Sequence, residues 1–326
     1  MILVTGATGF VGRALVPKLL AKGWQIKALV RKMSGLPVEV EQVVVDLGEK
    51  ESEGAIKDSF AGVDVVVHAA ARVHMMRDRS ANPLAEFRKL NRDATLALAS
   101  LAADAGVKRF VFLSSIKVNG EETFSRGRPS VFKPGDEFIP TDPYGLSKYE
   151  AEQGLLALAK ETGMEVVIIR PPLVYGPGVK ANFASMINCL RRGVPLPLGA
   201  INNKRSFVAL DNLVSFIALC ANRTQSPKAA NQVFLISDGE DVSTTQLLRK
   251  VADALGKETW LLPVPVGLMN FAAKLIGKGD VANRLFGSLQ VDSSKARDLL
   301  GWQPVITMDE QLNQTVAAYL KNEKTI

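Results

Sequence analysis

Met1-Ile-Leu-Val-Thr-Gly-Ala-Thr-Gly-Phe-Val-Gly12 decides the fold. An apolar run of strand length, Ile2 to Thr5, leads into Gly6, Gly9 and Gly12. The helical pattern of Ala14, Leu15, Leu19 and Leu20 follows. Glycines at this spacing permit a tight turn, close approach of backbone to a pyrophosphate, and close packing of the helix on the strand. The helix N-terminus then faces the phosphates. The spacing is G-x-x-G-x-x-G rather than G-x-G-x-x-G. An ordinary glycine-rich turn would not require a strand before it and a helix after it, so a dinucleotide-binding βα unit is expected.

The rest of the first half continues the alternation. Apolar strand patterns cover 2–5, 25–30, 42–46, 63–68, 109–114 and 165–170, with helical stretches between them, notably 84–105 and 144–161. Nearly all-apolar strands are those covered by helices on both faces. The pattern predicts an α/β fold: a Rossmann-type doubly wound parallel sheet. After Arg170, prolines 171, 172, 177, 195 and 197 end the alternation. Residues 1–176 read as the dinucleotide-binding domain, with 207–237 returning to it. Residues 177–206 and 238–326 read as a smaller mixed α/β substrate lobe. The loop-like segment 120–142 is long enough to act over a substrate. Stretch 264–276 is apolar enough for an interfacial helix. Packing within the lobe, or against a partner, is the expectation there.

Composition narrows the classes. A chain of 326 residues, 47% hydrophobic and 22% charged, is ordinary for a globular protein. No apolar run reaches the length of a membrane span, and the N-terminus lacks a signal-peptide pattern. The net charge of +7 comes from dispersed lysines and arginines, which disfavours nucleic acid and suits phosphate-bearing small ligands. Cys189 and Cys220 read as buried free thiols in a reducing, cytoplasmic setting. With His68 and His74 as the two histidines, no metal-ligand cluster is visible.

Chemistry gathers around DPYGLSKYEAE. Tyr144 and Lys148 are one helical turn apart and share a face. A nearby cation stabilises phenolate and lowers a tyrosine pKa, as a general acid/base needs. Ser115 ends the strand of RFVFLSSIKVNG, where its hydroxyl could bond the same substrate oxygen. A Tyr-x-x-x-Lys pair alone is common on helix surfaces. Beside a dinucleotide turn it becomes a catalytic candidate.

Taken in order, TGATGFVG (5–12), Asp46, HAAA (68–71), Asn91, LSS (113–115), YGLSK (144–148), RPPLVYGPG (170–178), RSFVALDN (205–212) and LGWQP (300–304) resemble the extended short-chain dehydrogenase/reductases. The branch is that of the NAD-dependent epimerases and dehydratases acting on nucleotide-sugars, and the resemblance covers nearly the whole chain. It implies that Gly6, Gly9 and Gly12 bind the cofactor pyrophosphate, with Thr8, Phe10 and Val11 also in the cofactor site. Asp46 and Leu47 would flank adenine, and Ala69 and Ala70 the ribose. Lys148 would bond the nicotinamide ribose, with Asn91 supporting it through water or backbone, and Tyr144 and Pro171 would complete the cofactor pocket. Asn182, Arg205 and Arg284 would contact the nucleotide diphosphate of a UDP-sugar. A homodimer through the helices of 84–105 and 144–161 is implied by analogy.

Departures from the family pattern direct the finer expectation. Dehydratases carry an Asp-Glu pair where this chain has Ile116 and Lys117. Typical 4-epimerases read V-Y-G where it has Val118-Asn119-Gly120. They carry Asp at the end of the second strand, where it has Arg31 and Lys32. An arginine there suits a 2′-phosphate, so NADP is slightly favoured over NAD. The leading expectation is an NAD(P)H-dependent 4-ketoreductase of a UDP-4-keto-6-deoxy-hexosamine for surface polysaccharide, with catalytic Ser115, Tyr144 and Lys148. The alternatives are a UDP-hexose 4-epimerase with tightly held NAD, and a non-catalytic dinucleotide sensor.

Overall fold

The computed structural model describes the chain apart from residues 74–81, 126–127, 137, 181, 276, 278 and 324–326. For residues 50, 124–125, 128–129, 182, 280–281 and 322–323 it describes the backbone alone. His74 therefore lies outside the described residues.

The strands are β1 (Ile2–Thr5), β2 (Ile26–Val30), β3 (Val40–Val44), β4 (Val65–His68), β5 (Arg109–Leu113), β6 (Phe124–Ser125), β7 (Arg128–Pro129), β8 (Glu165–Arg170), β9 (Leu173–Tyr175), β10 (Arg205–Ala209), β11 (Gln232–Leu235) and β12 (Asp241–Val242). The helices of the first part are α1 (Phe10–Ala21), α2 (Glu53–Ser59), α3 (Pro83–Arg88), α4 (Ala94–Asp104), α5 (Pro143–Thr162) and α6 (Asn182–Arg191). Those of the second part are α7 (Leu210–Ala221), α8 (Thr244–Ala254), α9 (Val266–Leu275), α10 (Gly279–Phe286), α11 (Ser294–Leu300) and α12 (Met308–Glu323).

Seven strands form one parallel sheet in the order β11-β8-β5-β4-β1-β2-β3, the doubly wound arrangement. Its two faces carry separate apolar layers. Helices α1 and α7 cover one, with Leu15, Leu19, Leu213 and Ile217 buried. Helices α4 and α5 cover the other, with Leu98, Ala102, Ala151 and Leu155 buried. Burial on both faces is why the strands read as continuous apolar runs. A small sheet, β12-β10-β9, and a third apolar cluster around Tyr175, Phe207, Leu248 and Leu312 form the C-terminal lobe.

The outcome differs from the expectation in four places. The third strand pairs over Val40–Val44, so Asp46 lies beyond its ladder, in a turn where its Oδ1 accepts from Gly48 N at 2.9 Å. The helical run 84–105 is broken by a π-helical turn over Lys89–Asp93, which carries Asn91. Both cysteines are free, but only Cys220 is buried; Cys189 is partly exposed because it sits on α6 near the surface. Helix α9 buries none of its residues, so packing within the lobe does not account for its apolar character. Among the described residues no helix is long and apolar enough to cross a membrane, and no group of metal-ligating side chains occurs.

Candidate active site

The glycine turn is enforced by contact. Gly6 has φ +70°, and a Cβ there would lie 2.6 Å from Ala70 N. A Cβ on Gly12 would lie 2.1 Å from Gly6 O, and one on Gly9 3.1 Å from the same oxygen. Gly9 caps α1 with no side chain, leaving the first-turn N–H groups open toward a ligand. Thr8 is exposed, while Phe10 and Val11 are half-buried at the head of α1. Ala69 and Ala70, half-buried just past β4, close the turn from the other side: Ala70 N donates to Thr5 Oγ1 at 3.2 Å. This cradle fits a nicotinamide dinucleotide, because its shape exists only where side chains are missing. Arg31 and Lys32 are exposed directly after β2. Asp46 and Leu47 lie in the turn after β3.

Beneath the cradle, His68 bridges two hydroxyls. Its Nδ1 is 2.7 Å from Thr5 Oγ1 and its Nε2 is 2.9 Å from Thr95 Oγ1. Burial, with the neighbouring Lys148 charge, lowers its pKa to about 3, so the ring is neutral. It ties β1 to β4 and α4 at the level of the turn.

Helix α5 starts sharply. Pro143 occupies its first turn and Asp142 caps it, with Oδ1 accepting from Gly145 N at 3.0 Å. That places Tyr144 in the first turn and Lys148 one turn on. Ser115 follows β5 and heads a short 3-10 turn, and its Oγ accepts from Lys117 N at 3.3 Å. The structure sets the Tyr144 phenol near Ser115, while Lys148 lies one helical turn on. Burial of the phenol pushes Tyr144 up to about 12; the Ser115 side chain opposes this and the Asp142 carboxylate adds to it. Lys148 is buried, and its Nζ donates to Leu113 O at 2.9 Å and lies 4.4 Å from the Phe112 ring centre. Desolvation lowers its pKa to about 7, with Glu152 acting in the opposite sense. The expected lowering of the Tyr144 pKa by Lys148 does not figure here, because the ammonium is drawn to Leu113 O and desolvation dominates both groups.

Several supporting contacts were not evident in the sequence. Lys117 Nζ lies 3.2 Å from Asp142 Oδ1 and 2.7 Å from Glu121 Oε1, tying the Ser115 turn to the cap of the Tyr144 helix. Glu152 is wholly buried, accepts from Ser114 Oγ, and pairs with Arg170. Asn119, the residue that departs from V-Y-G, accepts from Arg170 Nη1 at 2.9 Å. The spacing of Lys148 and Glu152 on one helix face was the available signal for Glu152. Asn91 does not bond Lys148. Its Nδ2 donates to Arg72 O at 3.0 Å and Ser147 Oγ at 3.1 Å, while its Oδ1 accepts from Arg72 N at 2.9 Å. Pro171 is buried, and its carbonyl accepts from Ile116 N at 3.0 Å, next to Ser115.

On the lobe side, Arg205 is largely buried. Its Nη1 donates to Arg284 O at 3.0 Å and Gly287 O at 2.9 Å, so Arg205 and the end of α10 meet. The Arg284 side chain is exposed. Asn182 begins α6, and its side chain lies outside the described residues.

The sequence pattern of the NAD dependent epimerase/dehydratase family matches residues 2–236. A curated relative from Vibrio cholerae, a UDP-glucose 4-epimerase, is 50% identical over 98% of this chain and 95% of its own. A Thermotoga maritima UDP-glucose 4-epimerase solved with UDP-glucose aligns with a TM-score of 0.74 at 25% identity, covering 99% of each chain. A second solved protein, MoeE5 in complex with UDP-glucose and NAD, aligns with a TM-score of 0.75 at 25% identity over 99% of each chain.

Proposed function

The chain belongs to the NAD-dependent epimerase/dehydratase family, and on that footing we propose that it is a UDP-hexose 4-epimerase working with NAD. The observation that carries this reading is the half-identical UDP-glucose 4-epimerase, matched over nearly the full length of both chains. It moves the weight from the 4-ketoreductase, the leading expectation from sequence, to the epimerase.

Gly6, Gly9, Gly12 and the first turn of α1 would hold the dinucleotide phosphates, with Lys148 reaching the nicotinamide ribose. The dinucleotide held there would supply reversible hydride exchange with C4 of the sugar. Tyr144 moves the accompanying proton. Its hydroxyl oxygen takes the proton from O4 as the C4–H bond breaks and gives it back as that bond re-forms. Ser115 donates to O4 and orients it on Tyr144. Burial holds Tyr144 at about 12, so the phenolate that takes this proton is a minor form, favoured by the Ser115 side chain. Arg205, the first residue of β10, would face the diphosphate. The two positions after Ser115 hold no carboxylate pair for a 4,6-elimination: Ile116 is buried and Lys117 is engaged with Asp142 and Glu121. Two copies would associate through α4 and α5.

One observation favours the 4-ketoreductase as a second reading. Arg31, exposed at the end of β2, is suited to the 2′-phosphate of NADPH, a reductant that is consumed. Incubation with UDP-glucose and catalytic NAD, followed by separation of the hexose nucleotides, decides between them. Conversion to UDP-galactose without net NADH supports the epimerase. Stoichiometric NADPH oxidation on a UDP-4-keto-6-deoxy sugar, with UDP-glucose untouched, overturns it.

A further inference from the structure

Glu152 is a charged group that the proposed reaction does not use. It sits one turn after Lys148 on α5 and is wholly buried. Its carboxylate meets Arg170 of β8, whose Nε donates to Oε1 at 3.0 Å and to Oε2 at 3.1 Å, and Arg170 is itself buried. Arg170 Nη1 donates to Asn119 Oδ1 at 2.9 Å. Asn119 Nδ2 in turn donates to Lys133 O at 2.8 Å, so the segment 120–142 is moored to the same cluster. A buried ion pair adds little net stability over apolar side chains of similar volume, so the value of this one lies in where it sits.

Glu152 meets the end of β5 between two working groups. Its Oε1 accepts from Ser114 Oγ. On one side of Ser114 is Leu113, whose carbonyl takes the Lys148 ammonium at 2.9 Å; on the other is Ser115. The Ser114 N–H is engaged with Ile169 O at 2.8 Å, so its backbone follows β8 while its hydroxyl ties the corner to α5. The groups facing Lys148 are Tyr144 and Glu152 on its own helix, the Phe112 ring and Leu113 carbonyl on β5, and the neutral His68 on β4. Glu152 is the negative charge among them, and it favours the ammonium against desolvation.

We propose that Glu152 is the positioning residue of this site: acting through Ser114, it holds the Leu113–Ser115 corner so that one end receives the Lys148 ammonium and the other presents the Ser115 hydroxyl. This rests on the roles proposed above for Ser115, Tyr144 and Lys148. Arg170 and Asn119 hold Glu152 in turn. The Glu152 charge also keeps Lys148 protonated at neutral pH.

Magnetic resonance of the full chain labelled with carbon-13 at lysine Cε, without cofactor or sugar, follows the Lys148 charge directly; Lys148→Arg assigns its signal by loss. The wild-type signal titrates at about 7. In Glu152→Gln the midpoint falls by about one unit, because the ammonium loses its carboxylate. With UDP-glucose and NAD the same variant loses about a hundredfold in kcat, the cost of a misplaced corner, while KM stays within about twofold. Glu152→Gln leaves Arg170 buried without its partner, so the double variant Glu152→Gln, Arg170→Gln removes both charges. It keeps the lowered midpoint and the lowered kcat. A Glu152 that serves only to neutralise Arg170 gives the opposite result: both values return to wild type in the double variant, which overturns the proposal. An unmoved Lys148 midpoint overturns it too, as does failure of both variants to fold. If the wild type turns over a UDP-4-keto sugar instead of UDP-glucose, kcat is read on that substrate. The midpoint needs no substrate, so failure of the epimerase reading and failure of this one are told apart.

Discussion

Lys117→Met is the most informative perturbation of the proton-transfer machinery. Lys117 touches neither Tyr144 nor Ser115 through its side chain, yet it lies 3.2 Å from Asp142, each about a quarter exposed. At an effective dielectric constant of about 20, a pair at that separation interacts by about 5 kcal/mol before solvent exposure and the competing Glu121 reduce it, to about 1–2 kcal/mol. Asp142 raises the Tyr144 pKa, so its charge bears on the phenol more strongly once Lys117 is gone. The helix cap survives, because Asp142 still accepts from Gly145 N. Groups facing Tyr144 are then Ser115, Asp142, the edge of Phe87 and Lys148 one turn on. The expected rise in the Tyr144 pKa is about 1 unit, or about 1.4 kcal/mol. Turnover in the direction that uses the phenolate rises with pH through this pKa. With Tyr144 at about 12, the usable pH range lies wholly on the rising limb, so activity is about tenfold lower throughout it. A kcat/KM profile against pH reads this, and Lys117→Arg restores it. Undiminished activity, or a loss that Lys117→Arg does not restore, would refute the reasoning.

Gly12→Ala places a methyl group 2.1 Å from a backbone oxygen, so it is expected to cost about 1–3 kcal/mol in stability and to abolish dinucleotide binding, read by thermal unfolding and cofactor titration. His68, held neutral with a pKa of about 3, contributes stability that is complete above the unfolded value of 6.5 and is lost as pH falls from there toward 3. The loss is about 1.4 kcal/mol per unit in that window, and His68→Gln flattens denaturant-measured stability there; an unchanged slope would remove His68 as its source. Arg31→Asp weakens NADPH relative to NADH by about ten- to hundredfold if the guanidinium faces a 2′-phosphate. Equal effects on the two cofactors would show that Arg31 does not read it.

Local rules made the centre of the molecule legible. The glycine turn could be read because at Gly6 and Gly12 a Cβ would run into backbone, which leaves glycine alone for those positions. The Tyr144–Lys148 relation could be read because helical geometry fixes a four-residue spacing, and Asp142-Pro143 announces where that helix begins. What the sequence withheld depends on long-range contacts. The alanine-rich run 84–105 reads as one helix, and its π-helical turn arises where Asn91 reaches the Arg72 backbone and Ser147. The direction of the Lys148 ammonium is set by Leu113 O across the sheet, beyond any helical spacing. Helix α9 shows the same limit from the other side: apolar content predicts burial, yet among the described residues Leu268, Phe271 and Leu275 stay exposed.

Epimerisation through hydride return and a Tyr144 proton shuttle is tested most directly with UDP-glucose carrying deuterium at C4. The purified protein, with catalytic NAD and no added reductant, should convert it to UDP-galactose that keeps the deuterium at C4, while Tyr144→Phe loses about two to four orders of magnitude in rate. Deuterium washed out to solvent, or no UDP-galactose at all from protein that retains NAD, would contradict the account.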